Sequence, residues 1–113
     1  MAKGLVPVLI LVTLFAVACG AQATATPTRP ALPPVNADIK NSTHETLNVK
    51  VGTTVVWTNR DEVPHTSTEK NGSWDSSFLI LGRSFSFTFT EPGTYDYFCA
   101  LHPQMTATVT VER

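Results

Sequence analysis

Arg83-Ser84-Phe85-Ser86-Phe87-Thr88-Phe89-Thr90 alternates without a break, with Phe85, Phe87 and Phe89 on one face and hydroxyl side chains on the other. Period-two alternation is the pattern of a strand that buries one face. Glu91-Pro92-Gly93 follows as a turn, and Thr94 to Phe98 reads as the next strand, with Tyr95 and Tyr97 sharing a face. Working outward, Thr106 to Val111 is the last strand. Upstream, Thr46 to Val51 alternates again, Gly52-Thr53 turns the chain, and Thr54 to Asn59 is rich in β-branched residues. Asn59 to Glu62 reads as loop and Asn71-Gly72 as a turn. No segment carries a 3.6-residue period. Short strands separated by turns predict an all-β fold, a sandwich or a barrel. A domain of about 80 residues is small for a single core, and Phe85, Phe87, Phe89, Trp57 and the Val positions are its candidates. Trp74 is expected to cover the sandwich near a turn.

The stretch Tyr95-Asp96-Tyr97-Phe98-Cys99-Ala100-Leu101-His102-Pro103-Gln104-Met105 places a thiol, an imidazole and a thioether at C-x2-H-x2-M spacing. A second imidazole, His65, stands upstream in Val63-Pro64-His65-Thr66. Singly these are weak signals, because a buried Cys or Met is usually packing. Together they are specific. Cys99 ends a strand, His102 and Met105 are expected in the loop after it, and His65 comes from the loop beyond Thr54–Asn59. One thiolate, two imidazoles and a weak axial Met form the ligand set of a blue-copper centre. Four protein ligands leave no obvious open position for a substrate, so the expected task is one-electron transfer, with copper alternating between Cu(I) and Cu(II). Thiolate and thioether suit Cu(I), imidazole tolerates both states, and a β-scaffold holds the geometry through the change. The chain has no second metal motif and no Ser/His/Asp arrangement, so it is not expected to be an enzyme. The rival readings are a copper storage or delivery protein and a metal-free interaction module. His44, in Asn41-Ser42-Thr43-His44-Glu45, has no partner motif and reads as a surface histidine.

The segments Trp57-Thr58-Asn59-Arg60, Val63-Pro64-His65-Thr66 and Glu91 through Met105 closely resemble the cupredoxins, over residues 37–113. The short C-x2-H-x2-M loop is most similar to the amicyanin group, since plastocyanin and pseudoazurin have longer spacings. The resemblance implies a Greek-key β-sandwich with a mononuclear type 1 copper held by His65, Cys99, His102 and Met105. It also implies that the His102 ring edge faces solvent. Leu101, Pro103, Met105, Val63 and Pro64 are then expected to form an apolar rim where redox protein partners dock. Two departures from the family pattern stand out. Thr66 and Ala100 replace the usual Asn and Thr/Ser, so the tie between the two ligand loops is expected to be missing, leaving the Thr66 N–H as the support. Leu101 replaces Pro and keeps an N–H that is expected to reach the Cys99 sulfur.

The other end of the 113-residue chain is of a different kind. Lys3 followed by an apolar run from Leu5 to Ala18 has the form of a secretory signal peptide over residues 1–18. It is short for a membrane span, which needs roughly 20 apolar residues. Ala16-Val17-Ala18 before Cys19 resembles a bacterial lipoprotein boundary, with Cys19 lipidated and holding the protein to the membrane. The same small residues also suit ordinary signal peptidase, and an uncleaved anchor is the third reading. Each predicts an extracytoplasmic protein, periplasmic or at the cell surface. Residues 19–34, rich in Ala, Thr and Pro, read as an extended tether, and 35–113 as the folded domain, expected to be monomeric. Export would permit a disulfide, but Cys19 belongs to the signal boundary and Cys99 to the ligand cluster, so no bridge is expected. With 8 basic and 9 acidic residues and no run of either, nothing points to nucleic acid.

Overall fold

The chain crosses from one sheet to the other at almost every connection. The computed structural model describes residues 4, 10, 12–16, 20 and 25–113. The strands are β1 (Val35–Ile39), β2 (Leu47–Lys50), β3 (Thr54–Asn59), β4 (Thr68–Glu69), β5 (Ser84–Thr88), β6 (Gly93–Cys99) and β7 (His102–Glu112). One sheet has the order β1-β3-β5 and the other β2-β7-β6-β4. β1 runs parallel to β3, and β2 parallel to β7, while β3–β5, β4–β6 and β6–β7 are antiparallel. Among the described residues there is no helix. The result is an all-β fold, as the alternation predicts, and of its two candidate forms it is the sandwich, with the Greek-key arrangement that the resemblance implies. Cys19 and most of the signal-like segment lie outside the described residues.

The inward rows meet between the sheets. Ala37 and Ile39 from β1, Val55 and Trp57 from β3, Tyr97 and Cys99 from β6, and Met105, Val109 and Val111 from β7 are buried. Aromatic rings fill the centre. Trp57 stacks on Trp74 at 5.3 Å, Tyr97 meets Trp57 at 5.7 Å, and Phe89 meets Trp74 edge-on at 5.3 Å. Each such ring removes roughly 150–250 Å² from water, which is how a small domain assembles a sufficient core. Phe89 is fully buried, whereas Phe85 and Phe87 are only half-buried because β5 is the edge of its sheet.

One inward position is polar. Asn59, at the end of β3, occupies the same row as Val55 and Trp57 and is fully buried. It marks where the apolar core gives way to a polar end of the sandwich, and that end carries the site.

Candidate metal centre

Cys99 points inward because it continues the alternate positions Tyr95 and Tyr97 of β6. The ladder then breaks. Phe98 lies opposite Thr106, but Cys99 lies opposite His102, so Pro103, Gln104 and Met105 are extra on β7. A turn of Ala100 and Leu101 closes the hairpin. This irregularity sets the His102 backbone directly across from Cys99 and starts the regular ladder beyond a buried Met105, 5% exposed. His102 and Met105 are therefore on the bulged start of β7 rather than in a free loop. Met105 also leaves the rim to which the sequence assigns it: an unbranched thioether pointing into the core is more favourable there than in water.

His65 arrives from the other sheet. Its backbone exchanges hydrogen bonds with Leu79, His65 N–H to the Leu79 carbonyl at 3.1 Å and Leu79 N–H back at 2.8 Å. Asn59 secures the loop between them. Its Nδ2 donates to the carbonyls of Val63 at 2.9 Å and Leu79 at 2.7 Å, and its Oδ1 accepts the Asp61 N–H at 2.8 Å.

The donor atoms of His65, Cys99 and His102 all lie within 4.8 Å of one another. Cys99 Sγ is 3.8 Å from His65 Nδ1 and 3.6 Å from His102 Nδ1. The two imidazoles are 5.1 Å apart, inclined at 60°. A first-row ion with bonds of roughly 2.0–2.3 Å to nitrogen and sulfur fits between donors at these separations.

The protonation pattern fits as well. His65 Nε2 is 2.8 Å from Asp61 Oδ2. The Asp61 carboxyl is held below the usual carboxylate range by the N–H groups of Ser42 and Asn41 and by His65, against a smaller opposing effect of burial. An ionised carboxylate only accepts hydrogen bonds, so Nε2 donates to it, and Nδ1, the nitrogen facing Cys99 Sγ, is the one left to bind a metal. Asn41 and Ser42 have φ of 53° and 52°. These left-handed conformations aim consecutive N–H groups at the carboxylate, each at 2.8 Å. The sequence reading missed Asp61, although its place four residues before His65 was the available signal.

Around the sulfur, the Thr66 N–H donates to Cys99 Sγ at 3.3 Å, as anticipated. A side-chain pair tying the ligand loops is missing, as Ala100 dictates, but the loops are tied in another way. The Ala100 N–H donates to Thr66 Oγ1 at 2.8 Å. A threonine hydroxyl can accept a backbone donor, so Ala100 needs no polar side chain. The Leu101 N–H, expected on the sulfur, is not among the groups bonded to it. It lies in the tight turn, and the neighbouring Ala100 N–H makes the second contact between the loops instead.

His44 also departs from expectation. It is buried, not on the surface, at 6% exposed. Its Nε2 donates to the Thr66 carbonyl at 2.9 Å, and its ring lies 4.8 Å from that of Tyr97. Burial, partly opposed by the Thr66 hydrogen bond, lowers its pKa to about 4, so the ring is neutral near pH 7. The Tyr97 hydroxyl donates to the Glu45 carbonyl, and burial raises its pKa to about 12.

Cys99 is a free thiol with no exposed surface, His65 is equally buried, and His102 is partly open. Such a trio, closed to solvent except at one imidazole, can hold a soft metal and exchange electrons through that edge. Residues 36–112 match the family described as copper binding proteins, plastocyanin/azurin family. The chain belongs to this family. It is similar to the amicyanin of Paracoccus denitrificans, 42% identical, over 66% of this chain and 63% of that protein, a little under two thirds of its length. It is also similar to the amicyanin of Paracoccus versutus, 35% identical with 98% of each chain covered. Among solved structures, an oxidised amicyanin variant superposes with a TM-score of 0.65 at 38% identity, over 70% of this chain and 82% of that one. The cupredoxin sandwich and its amicyanin-like character are thereby established, and with them one copper ion as cofactor, for which the His-Cys-His cluster offers fitting donors.

Proposed function

We propose that this chain is a one-electron carrier, with copper held by His65, Cys99, His102 and Met105. The observation that supports it most strongly is the preformed donor cluster, with His65 Nδ1 left free by Asp61 and Cys99 Sγ already bonded to the Thr66 N–H. The copper supplies a reversible Cu(I)/Cu(II) couple. The chain's residues fix the donors, exclude water from the sulfur and leave His102 as the exit. Cupredoxins of the amicyanin kind are carriers rather than enzymes, and this chain is read as one.

Beside the ligand loops Val63 is 48% and Leu101 41% exposed, and the segment around Leu79 exposes Phe78 at 68%, Ile80 at 58% and Leu81 at 55%. Phe78 and Ile80 flank Leu79, which bridges His65, and Phe78 lines a surface hollow with Thr66 and Ala100, so the rim is read as gaining Phe78 and losing the buried Met105 relative to the sequence reading of Leu101, Pro103, Met105, Val63 and Pro64. It is proposed as the docking face for redox protein partners, since contiguous exposed apolar surface marks such sites. Residues 1–18 are proposed as an export signal, Cys19 as a lipid anchor, 19–34 as a tether and 35–113 as the domain, which places the carrier outside the cytoplasm.

The visible and EPR spectra of the Cu(II)-loaded chain test the copper reading. An intense blue charge-transfer band with narrow hyperfine splitting is expected. A pale solution with ordinary tetragonal splitting would remove Cys99 from the ligand set, and copper storage or delivery would replace electron transfer.

A further inference from the structure

Thr66 is the residue on which the sulfur environment converges, and every polar group it carries is engaged. Its N–H is on Cys99 Sγ, and its hydroxyl accepts from Ala100 and pairs with Thr68 Oγ1 at 2.9 Å. Its carbonyl accepts from His44. The first three contacts stay within the two ligand loops and the short strand beside them. The fourth comes from a residue 22 positions earlier, in the loop between β1 and β2.

His44 is itself fixed. Its ring packs on Tyr97, two residues before Cys99, and the Tyr97 hydroxyl is bonded to the carbonyl of Glu45, next to His44. Ring, hydroxyl and peptide form a brace from the 41–45 loop to the inward row of β6. Thr66 is only 2% exposed, so water has little access to its carbonyl if the imidazole is removed, and a buried carbonyl without a donor must move to find one. The carbonyl belongs to the 66–67 peptide and the N–H to the 65–66 peptide, and the two meet at the Thr66 Cα; a shift of that Cα as the carbonyl seeks a donor displaces the N–H that faces the sulfur.

We propose that His44 is a positioning residue of the copper centre: its Nε2–H holds the Thr66 carbonyl, and through it keeps the Thr66 N–H aimed at Cys99 Sγ. The proposal rests on copper being bound through Cys99. An N–H on the thiolate draws negative charge from the sulfur and weakens its donation, which disfavours Cu(II) more than Cu(I). Loosening that N–H therefore favours the oxidised state, and the midpoint potential falls. Nothing in the ligand set itself changes.

His44→Phe keeps a ring on Tyr97 and deletes the donor, while His44→Gln restores an N–H of similar reach. Val111→Ala is the control. Val111 is buried opposite Gly93, at the end of the β6–β7 ladder away from Cys99, so it weakens the core without touching residue 66. All are prepared in the full chain. In copper-loaded His44→Phe the Cu(I)/Cu(II) ratio at a fixed applied potential is expected to fall several-fold, where tenfold is about 59 mV for one electron. The charge-transfer band should shift with it. His44→Gln should recover part of the change, and Val111→Ala should show none. In the metal-free protein, amide exchange at Thr66 should quicken at least tenfold in His44→Phe relative to Val111→Ala. A blue wild-type protein whose His44→Phe variant keeps its potential, band and Thr66 exchange rate would overturn the proposal and leave the copper reading standing. Equal shifts in His44→Phe and Val111→Ala would also overturn it, because general loosening would then explain both. A wild-type protein that is not blue would refute the copper reading instead, and the Thr66 exchange comparison would still decide whether His44 holds that peptide.

Discussion

Asn59 gives the sharpest test of how the fold delivers His65 to the centre. Its amide joins Val63, Leu79 and Asp61 through hydrogen bonds of 2.9, 2.7 and 2.8 Å. Asn59→Ala deletes all three. The penalty is less than three orphaned buried groups. The Leu79 carbonyl keeps the His65 N–H as a donor, and the contacts to Val63 and Asp61 are only partly buried, so water can reach both. Taking each bond at a net value of about 1 kcal/mol, the loss is about 3 kcal/mol. For a domain of this size that lowers Tm by roughly 12–24 °C, out of a total stability of about 5–15 kcal/mol. Asn59→Asp preserves the shape but turns a carboxylate oxygen toward two carbonyls, so it should be worse than Ala at pH 7. Urea unfolding of the metal-free protein, followed by Trp fluorescence, measures both. The midpoint should drop with an unchanged slope. Copper should also dissociate faster, because the residue that loses its support lies on the loop carrying His65. An Asn59→Ala loss below about 1 kcal/mol, or an Asp variant as stable as wild type, would refute the reasoning.

Three further outcomes are expected. Asp61→Asn leaves Nε2 of His65 without an ionised acceptor, and copper affinity measured by competition with a chelator should fall about 10- to 100-fold. Met105→Leu conserves volume and should cost under about 1.5 kcal/mol, while loss of the thioether donor raises the midpoint potential in voltammetry without abolishing the blue band. The third is a pH dependence of the metal-free protein. His44 titrates near 6.5 unfolded and near 4 folded, so the unfolded state binds more protons between those values. Its contribution is complete above pH 6.5 and is lost as pH falls through 4, up to about 3 kcal/mol in all. Unfolding free energies at pH 7 and 4.5 should differ accordingly, and His44→Phe should flatten most of that slope.

Much of the sandwich was legible because its strands announce one buried face. The reading of Thr54–Asn59 coincides with β3, and those of β5 and β6 differ by a residue or two at the ends. β1 does not stand out although Val35-Asn36-Ala37-Asp38-Ile39 also alternates, because it is short and directly follows a proline-rich stretch. β4 spans Thr68–Glu69, too short for any period to show. The parallel pairings of β1 with β3 and β2 with β7 are set by which sheet each strand joins, and no local pattern encodes that. The donor residues stood out by chemical type, whereas their supports did not. His44 sits among Asn, Ser, Thr and Glu and looks solvated until the 41–45 loop folds over Thr66. Asp61 looks like loop charge until Asn41 and Ser42 turn their N–H groups onto it.

The supports explain why this site suits electron transfer better than delivery. Each donor is positioned by bonds that do not involve the metal: His65 by Leu79 and Asp61, Cys99 by Thr66, and His102 by its register opposite Cys99. A delivery site must open to surrender its ion, and opening here would break the Asn59, Asp61 and Thr66 networks together, each at a cost of order 1 kcal/mol per bond. A carrier gains from the same rigidity, since donors that keep their places when the charge on the ion changes contribute little to the barrier. The half-open imidazole of His102 lets electrons leave without that opening. The apolar rim proposed as the docking face would hold a partner by desolvation rather than by charge, and such contacts form and release readily when the buried area is modest. Rigid donors and the proposed apolar docking face thus complement one another in the proposed carrier, in which the electron moves and the copper stays.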